Sequence, residues 1–121
     1  MKHTEDNLQI ACIEWFYLAY PNLIIHHSPN GGFRNAREAA RFKKMGTLAG
    51  MPDLHIPEPN GQYHGLYIEL KAGKNRLTKN QSLIIEKLTN NKYKCEVCYS
   101  LDEFMSAVNN YINRGERAFG K

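Results

Sequence analysis

Two short apolar segments, Leu54-His55-Ile56 and Leu66-Tyr67-Ile68-Glu69-Leu70, flank a polar stretch containing Pro59-Asn60-Gly61. This arrangement constrains the chain more than any other, because apolar runs of strand length on either side of turn residues form a β-hairpin. Sixteen positions separate Asp53, just before the first strand, from Glu69 in the second, and hairpin pairing can set them side by side. Alternate residues of a strand share a face. Glu69 and Lys71 therefore point one way while Ile68 and Leu70 point into the core, so two carboxylates and one ammonium converge.

Such a convergence has a chemical use. Hard divalent cations such as Mg²⁺ and Mn²⁺ prefer carboxylate and carbonyl oxygens and retain several waters, and Asp53, Glu69 and the Leu70 carbonyl can supply that shell. A cation held there lowers the pKa of a bound water and neutralises a phosphate oxygen, while Lys71 can orient the attacking water or stabilise negative charge. The implied reaction is phosphodiester hydrolysis. A bare Glu-x-Lys on a strand is more often a solvated face, so the weight rests on the residues around it.

Asn30-Gly31-Gly32-Phe33-Arg34, Gly50-Met51-Pro52-Asp53, Ile68-Glu69-Leu70-Lys71 and Gln81, in this order, resemble the motif series of the VRR-NUC (virus-type replication-repair nuclease) domain of the PD-(D/E)xK nuclease superfamily. The resemblance runs from about Glu5 to about Ile112. It implies an αβββαβ core, metal-dependent DNA cleavage, and Asp53, Glu69 and Lys71 as the catalytic acids and lysine. It further implies a Glu at the start of the first helix that approaches the metal, which points to Glu5, and a Gln near the active site in the first turn of a later helix, which is Gln81. Both residues also have purely structural readings, Glu5 as a helix-dipole partner and Gln81 as the closing member of a helix cap.

Composition bounds the rest. A chain of 121 residues with 42% hydrophobic residues suits one domain with a modest core. No run approaches the roughly 18 apolar residues of a membrane span, and Met1-Lys2-His3-Thr4-Glu5-Asp6 lacks the apolar segment of a signal peptide, so a cytoplasmic protein without membrane partners is expected. The odd cysteine count argues against a disulfide framework. Cys95 and Cys98 face opposite sides of a strand with no second ligand pair, which argues against zinc. A net charge of +4 fits a polyanionic partner without requiring one.

Along the chain, helical spacing and flanking signals predict a first helix from Thr4, its N-cap, to Tyr20, with Leu8, Cys12, Trp15 and Leu18 or Ala19 inward. Leu23 to His27 reads as a strand whose adjacent histidines face opposite sides, so at most one can face the site. Asn30-Gly31-Gly32 allows close backbone approach to a phosphate or another chain, or is simply a turn. A helix from Asn35 to Met45, capped by Asn35 with Glu38 and ended by Gly46, carries Arg37, Arg41, Lys43 and Lys44 and turns Ala39, Phe42 and Met45 inward. Its basic face is either solvated or tracks a phosphate backbone. After the basic loop with Lys74 and Arg76, Thr78-x-x-Gln81 opens a helix that stops at Asn90-Asn91. A strand from Cys95 to Tyr99, a capping box Ser100-x-x-Glu103 and a helix from Phe104 to Asn113 complete the chain, with a flexible tail from about Arg114.

The expectation is a single α/β domain over residues 1–121, with a restriction-endonuclease-like mixed sheet flanked by helices. It would act as a Mg²⁺- or Mn²⁺-dependent DNA endonuclease in replication or repair, without an organic cofactor. Asp53, Glu69, Leu70 and Glu5 would hold metal, Lys71 and Gln81 would join the acids in catalysis, and Asn30, Gly31, Arg34, Lys43, Lys44, Lys74 and Arg76 would contact DNA. Stand-alone members resembling this chain work as homodimers on branched DNA such as four-way (Holliday) junctions. The alternatives are a flap or nicking nuclease without junction preference, and a catalytically silent nucleic-acid-binding module, against which the intact acids and lysine argue.

Overall fold

The computed structural model describes residues 2–29 and 35–118. Its elements are α1 (Lys2–Ala19), β1 (His26–His27), α2 (Ala36–Lys44), β2 (Leu54–Ile56), β3 (Leu66–Leu70), α3 (Lys79–Asn90), β4 (Lys94–Cys98) and α4 (Leu101–Ala118). The strands lie in the order β1-β2-β3-β4. β1 pairs with β2 and β2 with β3 antiparallel, whereas β3 and β4 run parallel across the α3 crossover. This is the αβββαβ core with α2 inserted after β1 and α4 appended.

The hairpin predicted around Pro59-Asn60-Gly61 forms, with Leu54 opposite Ile68 and Ile56 opposite Leu66. Its loop is organised by Asn60, a buried polar residue whose Oδ1 accepts the N–H groups of Gln62 and Tyr63 at 3.0 and 2.8 Å while Nδ2 donates to the Tyr111 carbonyl at 3.1 Å. The loop is thereby tied to α4. Gly61, at φ 84°, occupies the left-handed region that favours glycine.

Leu54, Ile56, Leu66, Ile68 and Leu70 form one apolar sheet face, packed against Cys12 and Phe16 of α1 and Phe104, Val108 and Tyr111 of α4. Burying a Leu or Phe side chain contributes roughly 1.5–3 kcal/mol, so this layer carries most of the stability. The opposite face bears His55, Tyr67 and Glu69, and α3 packs over β4 on that side. Both thiols in the apolar layer, Cys12 and Cys98, are pushed by burial up to about 12, and all three cysteines are free.

Several expectations need correction. Thr4 already lies within α1 and is not its N-cap. The core stripe of α1 centres on Cys12 and Phe16, whereas Leu18 is 85% exposed. At 100° per residue Trp15 and Phe16 flank the direction of Cys12, and α1 packs on both β3 and α4 with Phe16 fully buried. Leu8 and Trp15 pack against this core as predicted, Trp15 meeting Phe104 and Tyr20 edge-on. The predicted strand from Leu23 shortens to His26–His27, because only these two pair with β2.

Asn35 caps α2 as predicted, accepting the Glu38 N–H at 2.9 Å, but α2 buries no residue, and Met45 is 67% exposed. Among the described residues α2 packs on no other element to the extent that the remaining helices do. α4 starts at Leu101, ahead of the predicted Phe104, and continues through the expected tail region to Ala118. Ser100 Oγ accepts the Glu103 N–H, while the Glu103 carboxylate takes the Tyr99 N–H, one residue earlier than a capping box requires.

Candidate active site

The hairpin register sets Asp53 beside Glu69, one step beyond the Leu54–Ile68 pair. Asp53 Oδ2 accepts the Leu70 N–H at 2.8 Å, which anchors the first carboxylate to the strand carrying the second. Pro52 ahead of it is fully buried, and its ring fixes φ where the chain enters the site. The Asp53 carbonyl accepts the Ser28 N–H at 2.9 Å and lies 3.1 Å from His27 Nδ1. His26 lies opposite His55 and its ring meets that residue's edge-on, so the two adjacent histidines do part, as alternation requires.

Glu69 is 3% exposed and Lys71 8%. A Glu-x-Lys on a solvated strand face would show neither value. Lys71 Nζ stands 3.7 Å from Glu69 Oε2, and Gln81 Nε2 donates to the same oxygen at 2.9 Å. Glu69 Oε1 is buried and has no hydrogen-bond partner. Burial is the largest cause that pushes the Glu69 carboxyl up to about 8, followed by the negative charge of Asp53, with Lys71 opposing. The Asp53 carboxyl is likewise raised, first by burial and then by Glu5, against the Leu70 N–H, His27 and Lys71. Two carboxylates thus share a poorly solvated space with one ammonium, an arrangement of the kind that perturbs catalytic groups.

Gln81 combines its two sequence readings. Its Oε1 accepts the Thr78 N–H at 2.9 Å and Thr78 Oγ1 accepts its N–H at 3.2 Å, completing the capping box, while its Nε2 serves Glu69. Glu5, on the first turn of α1, lies close enough for its charge to raise both Asp53 and Glu69. Its Oε2 accepts the Ala72 N–H at 3.3 Å and the Asn75 Nδ2 at 3.4 Å. Asn75 is in turn held by Tyr99, whose hydroxyl donates to its carbonyl at 2.7 Å. The support that Asn75 and Tyr99 give Glu5 carries no local sequence signal, since it joins positions 70 and 24 residues apart.

The DNA-facing expectations divide. Lys74 lines a groove with Glu5, Asp6 and Gly73, and Arg76 is exposed on the same loop. Lys43 borders a separate groove of about 690 Å³ between α2 and α3, with Leu48 and Leu83; Lys44 is exposed on α2. Asn30, Gly31 and Arg34 lie outside the described residues.

Among the described residues no group of three or more His, Cys, Asp or Glu side chains is disposed to hold a metal ion. The donor set suits a cation that keeps its waters, because Mg²⁺ is commonly held by one or two carboxylates. The unpartnered Glu69 Oε1 and the raised pair of carboxyls fit such a cation, since a positive charge between them would relieve both. What the structure gives for Leu70 is its N–H, on Asp53.

A family model described as the VRR-NUC domain matches residues 3–102. A solved structure described as a VRR_NUC domain protein is similar to the chain at 37% identity and a TM-score of 0.77, covering 93% of this chain and 90% of its own. No match was found among curated proteins. No helix among the described residues is long and apolar enough to cross a membrane.

Proposed function

The chain belongs to the VRR-NUC family, whose domain implies nuclease-type function with DNA as substrate, and from that premise we propose a Mg²⁺- or Mn²⁺-dependent endonuclease that acts on branched DNA as a homodimer. The observation that carries the reading is the pairing of a buried Glu69, with one carboxylate oxygen unpartnered, and Asp53 across the hairpin. Asp53 and Glu69 would hold the cation, with the Leu70 carbonyl as a further ligand and Glu5 at the edge of the shell. When bound there, the cation supplies Lewis acidity to a phosphate oxygen and acidifies a water.

The remaining residues have distinct work. Lys71, desolvated and beside Glu69, presents its ammonium to the phosphate oxygens as negative charge grows during attack of water oxygen on phosphorus and departure of the other ester oxygen. Gln81 keeps the Glu69 carboxylate oriented by occupying Oε2, which leaves Oε1 for the metal. Lys74 and Arg76 hold the phosphate backbone beside the site, with Lys43 and Lys44 on α2 as outer contacts. Asn30, Gly31 and Arg34 belong to the same proposed DNA surface through the family motif.

A single site incises one strand at a time, so paired cuts at a junction need paired sites related by two-fold symmetry. Exposed Ile10, Tyr17 and Leu18 on α1 offer apolar surface for that contact. Three free cysteines fit a reducing compartment, the cytoplasm. Cleavage of four-way junctions and linear duplexes of equal length in Mg²⁺, Mn²⁺, Ca²⁺ or excess EDTA, with light scattering at micromolar protein, tests the whole reading. Junction cutting by a dimer in Mg²⁺ and Mn²⁺ alone is expected. Full activity in EDTA would refute the metal site, and a monomer without junction preference would refute the dimeric resolvase.

A further inference from the structure

We propose that Gly50 is a positioning residue: its missing side chain lets the loop before Asp53 lie directly on the backbone of Asn80, and that contact keeps Gln81 within hydrogen-bond reach of Glu69. The consequence for catalysis rests on the nuclease reading, but the geometry does not.

Gly50 has φ +94°, and a Cβ placed on it would lie 2.9 Å from the Asn80 carbonyl carbon and oxygen and 3.2 Å from the Asn80 Cβ. Those atoms cannot swing aside like the end of a long side chain. They belong to the first turn of α3, locked by the reciprocal Thr78–Gln81 cap. Gln81 follows Asn80 directly and donates to Glu69 Oε2 at 2.9 Å. On the other side of the contact, Gly50 leads through the buried Pro52 to Asp53, whose carboxylate is anchored by Leu70 at 2.8 Å. One backbone contact therefore sets the spacing between the loop that delivers Asp53 and the turn that delivers Gln81. A methyl group there must push α3 or the loop outward by several tenths of an ångström, enough to stretch and weaken a 2.9 Å hydrogen bond.

Gly46 in the same loop provides the comparison. It has φ +108°, yet a Cβ there would meet nothing within 4 Å. Gly46→Ala and Gly50→Ala thus share the left-handed backbone penalty and differ in the clash. Gly50→Asn supplies a second variant, since Asn tolerates left-handed backbone better than Ala while keeping the Cβ.

The test follows the Gln81 side-chain amide by NMR, identified by its loss in Gln81→Ala, together with cleavage rates and thermal melting of the full chain. In Gly50→Ala and Gly50→Asn the Gln81 amide should move away from its wild-type position and cleavage should fall on the order of 10- to 100-fold. Gly46→Ala should leave the Gln81 amide at its wild-type position and cleavage within about twofold of wild type, as expected where only backbone strain changes. Combining Gly50→Ala with Gln81→Ala should slow cleavage no further than Gln81→Ala alone, because both remove one interaction. An unmoved Gln81 amide, or multiplying rate losses in the double variant, overturns the proposal. So does a Gly46→Ala variant that folds while neither Gly50 variant does, since the contact would then serve folding only. If the wild type cuts no DNA, the nuclease reading falls and the amide shift alone decides the positioning role.

Discussion

Gln81 and Glu69 are joined by a hydrogen bond of 2.9 Å from Nε2 to Oε2, and the same amide accepts the Thr78 N–H through Oε1. One side chain closes a helix cap and clamps a buried carboxylate, so the start of α3 and the site are mechanically one piece. The two roles can be separated. Glu can close a capping box as well as Gln, but Gln81→Glu sets a carboxylate against Glu69 and removes the donor. Gln81→Glu should keep α3 capped, with helix content unchanged by circular dichroism, while lowering cleavage on the order of 10²-fold. Wild-type cleavage by Gln81→Glu would show that the clamp has no catalytic part.

The raised Glu69 carboxyl has a consequence for stability. Its ordinary value is 4.5 and its folded value about 8, so the folded state holds this proton more tightly than the unfolded state. That contribution is fully present below pH 4.5 and is lost as pH rises through about 8. Metal-free wild type should therefore lose on the order of a few kcal/mol across this window relative to Glu69→Gln, which cannot ionise. Thermal melts in EDTA at successive pH values measure the difference. A gap between the two proteins that does not widen from pH 5 to pH 8 would refute the assignment, whereas added Mg²⁺ should narrow it from the wild-type side only.

Metal binding and turnover should respond differently to the two ends of the site. Asp53→Asn is expected to weaken Mn²⁺ binding and cleavage together. Lys71→Ala should leave Mn²⁺ binding nearly intact while lowering the rate on the order of 10²-fold or more. Titration calorimetry paired with single-turnover cleavage separates the cases, and wild-type cleavage by Lys71→Ala would show that another group stabilises the phosphate.

Lys74 and Arg76 lie on the loop that holds Glu5 through Ala72 and Asn75. If both engage phosphate, replacing each by Ala should weaken binding to any DNA sequence alike and flatten the dependence of log affinity on log salt by about one unit per side chain replaced. Fluorescence anisotropy over a series of salt concentrations gives the slope. An unchanged slope would return both residues to ordinary solvated charges.

Short-range physics accounts for what could be read from the chain alone. Strand alternation and turn chemistry around Asn60 specified the hairpin, and Asn35 and Thr78 marked helix starts because a cap is a contact between residues three apart. Asp53 came beside Glu69 for the same reason, since hairpin register follows from the strands and their loop. The ordered motifs were enough to indicate the family, which the match over residues 3–102 then showed.

Packing between distant segments settled the rest. Trp15 and Phe16 are equivalent by helical period until packing on β3 and α4 decides which is fully buried, Phe16, and which is only partly so, Trp15. α2 has an amphipathic pattern, yet it buries nothing, because periodicity describes a face without supplying the surface that covers it. Whether Glu69 and Lys71 were solvated charges or a desolvated pair depended on what lies over their face of the sheet, and no local pattern encodes that. Gly50 against Asn80 and Asn75 against Glu5 join segments 30 and 70 residues apart. Such contacts exist only once the sheet and helices have met, because they follow from the distances between packed elements.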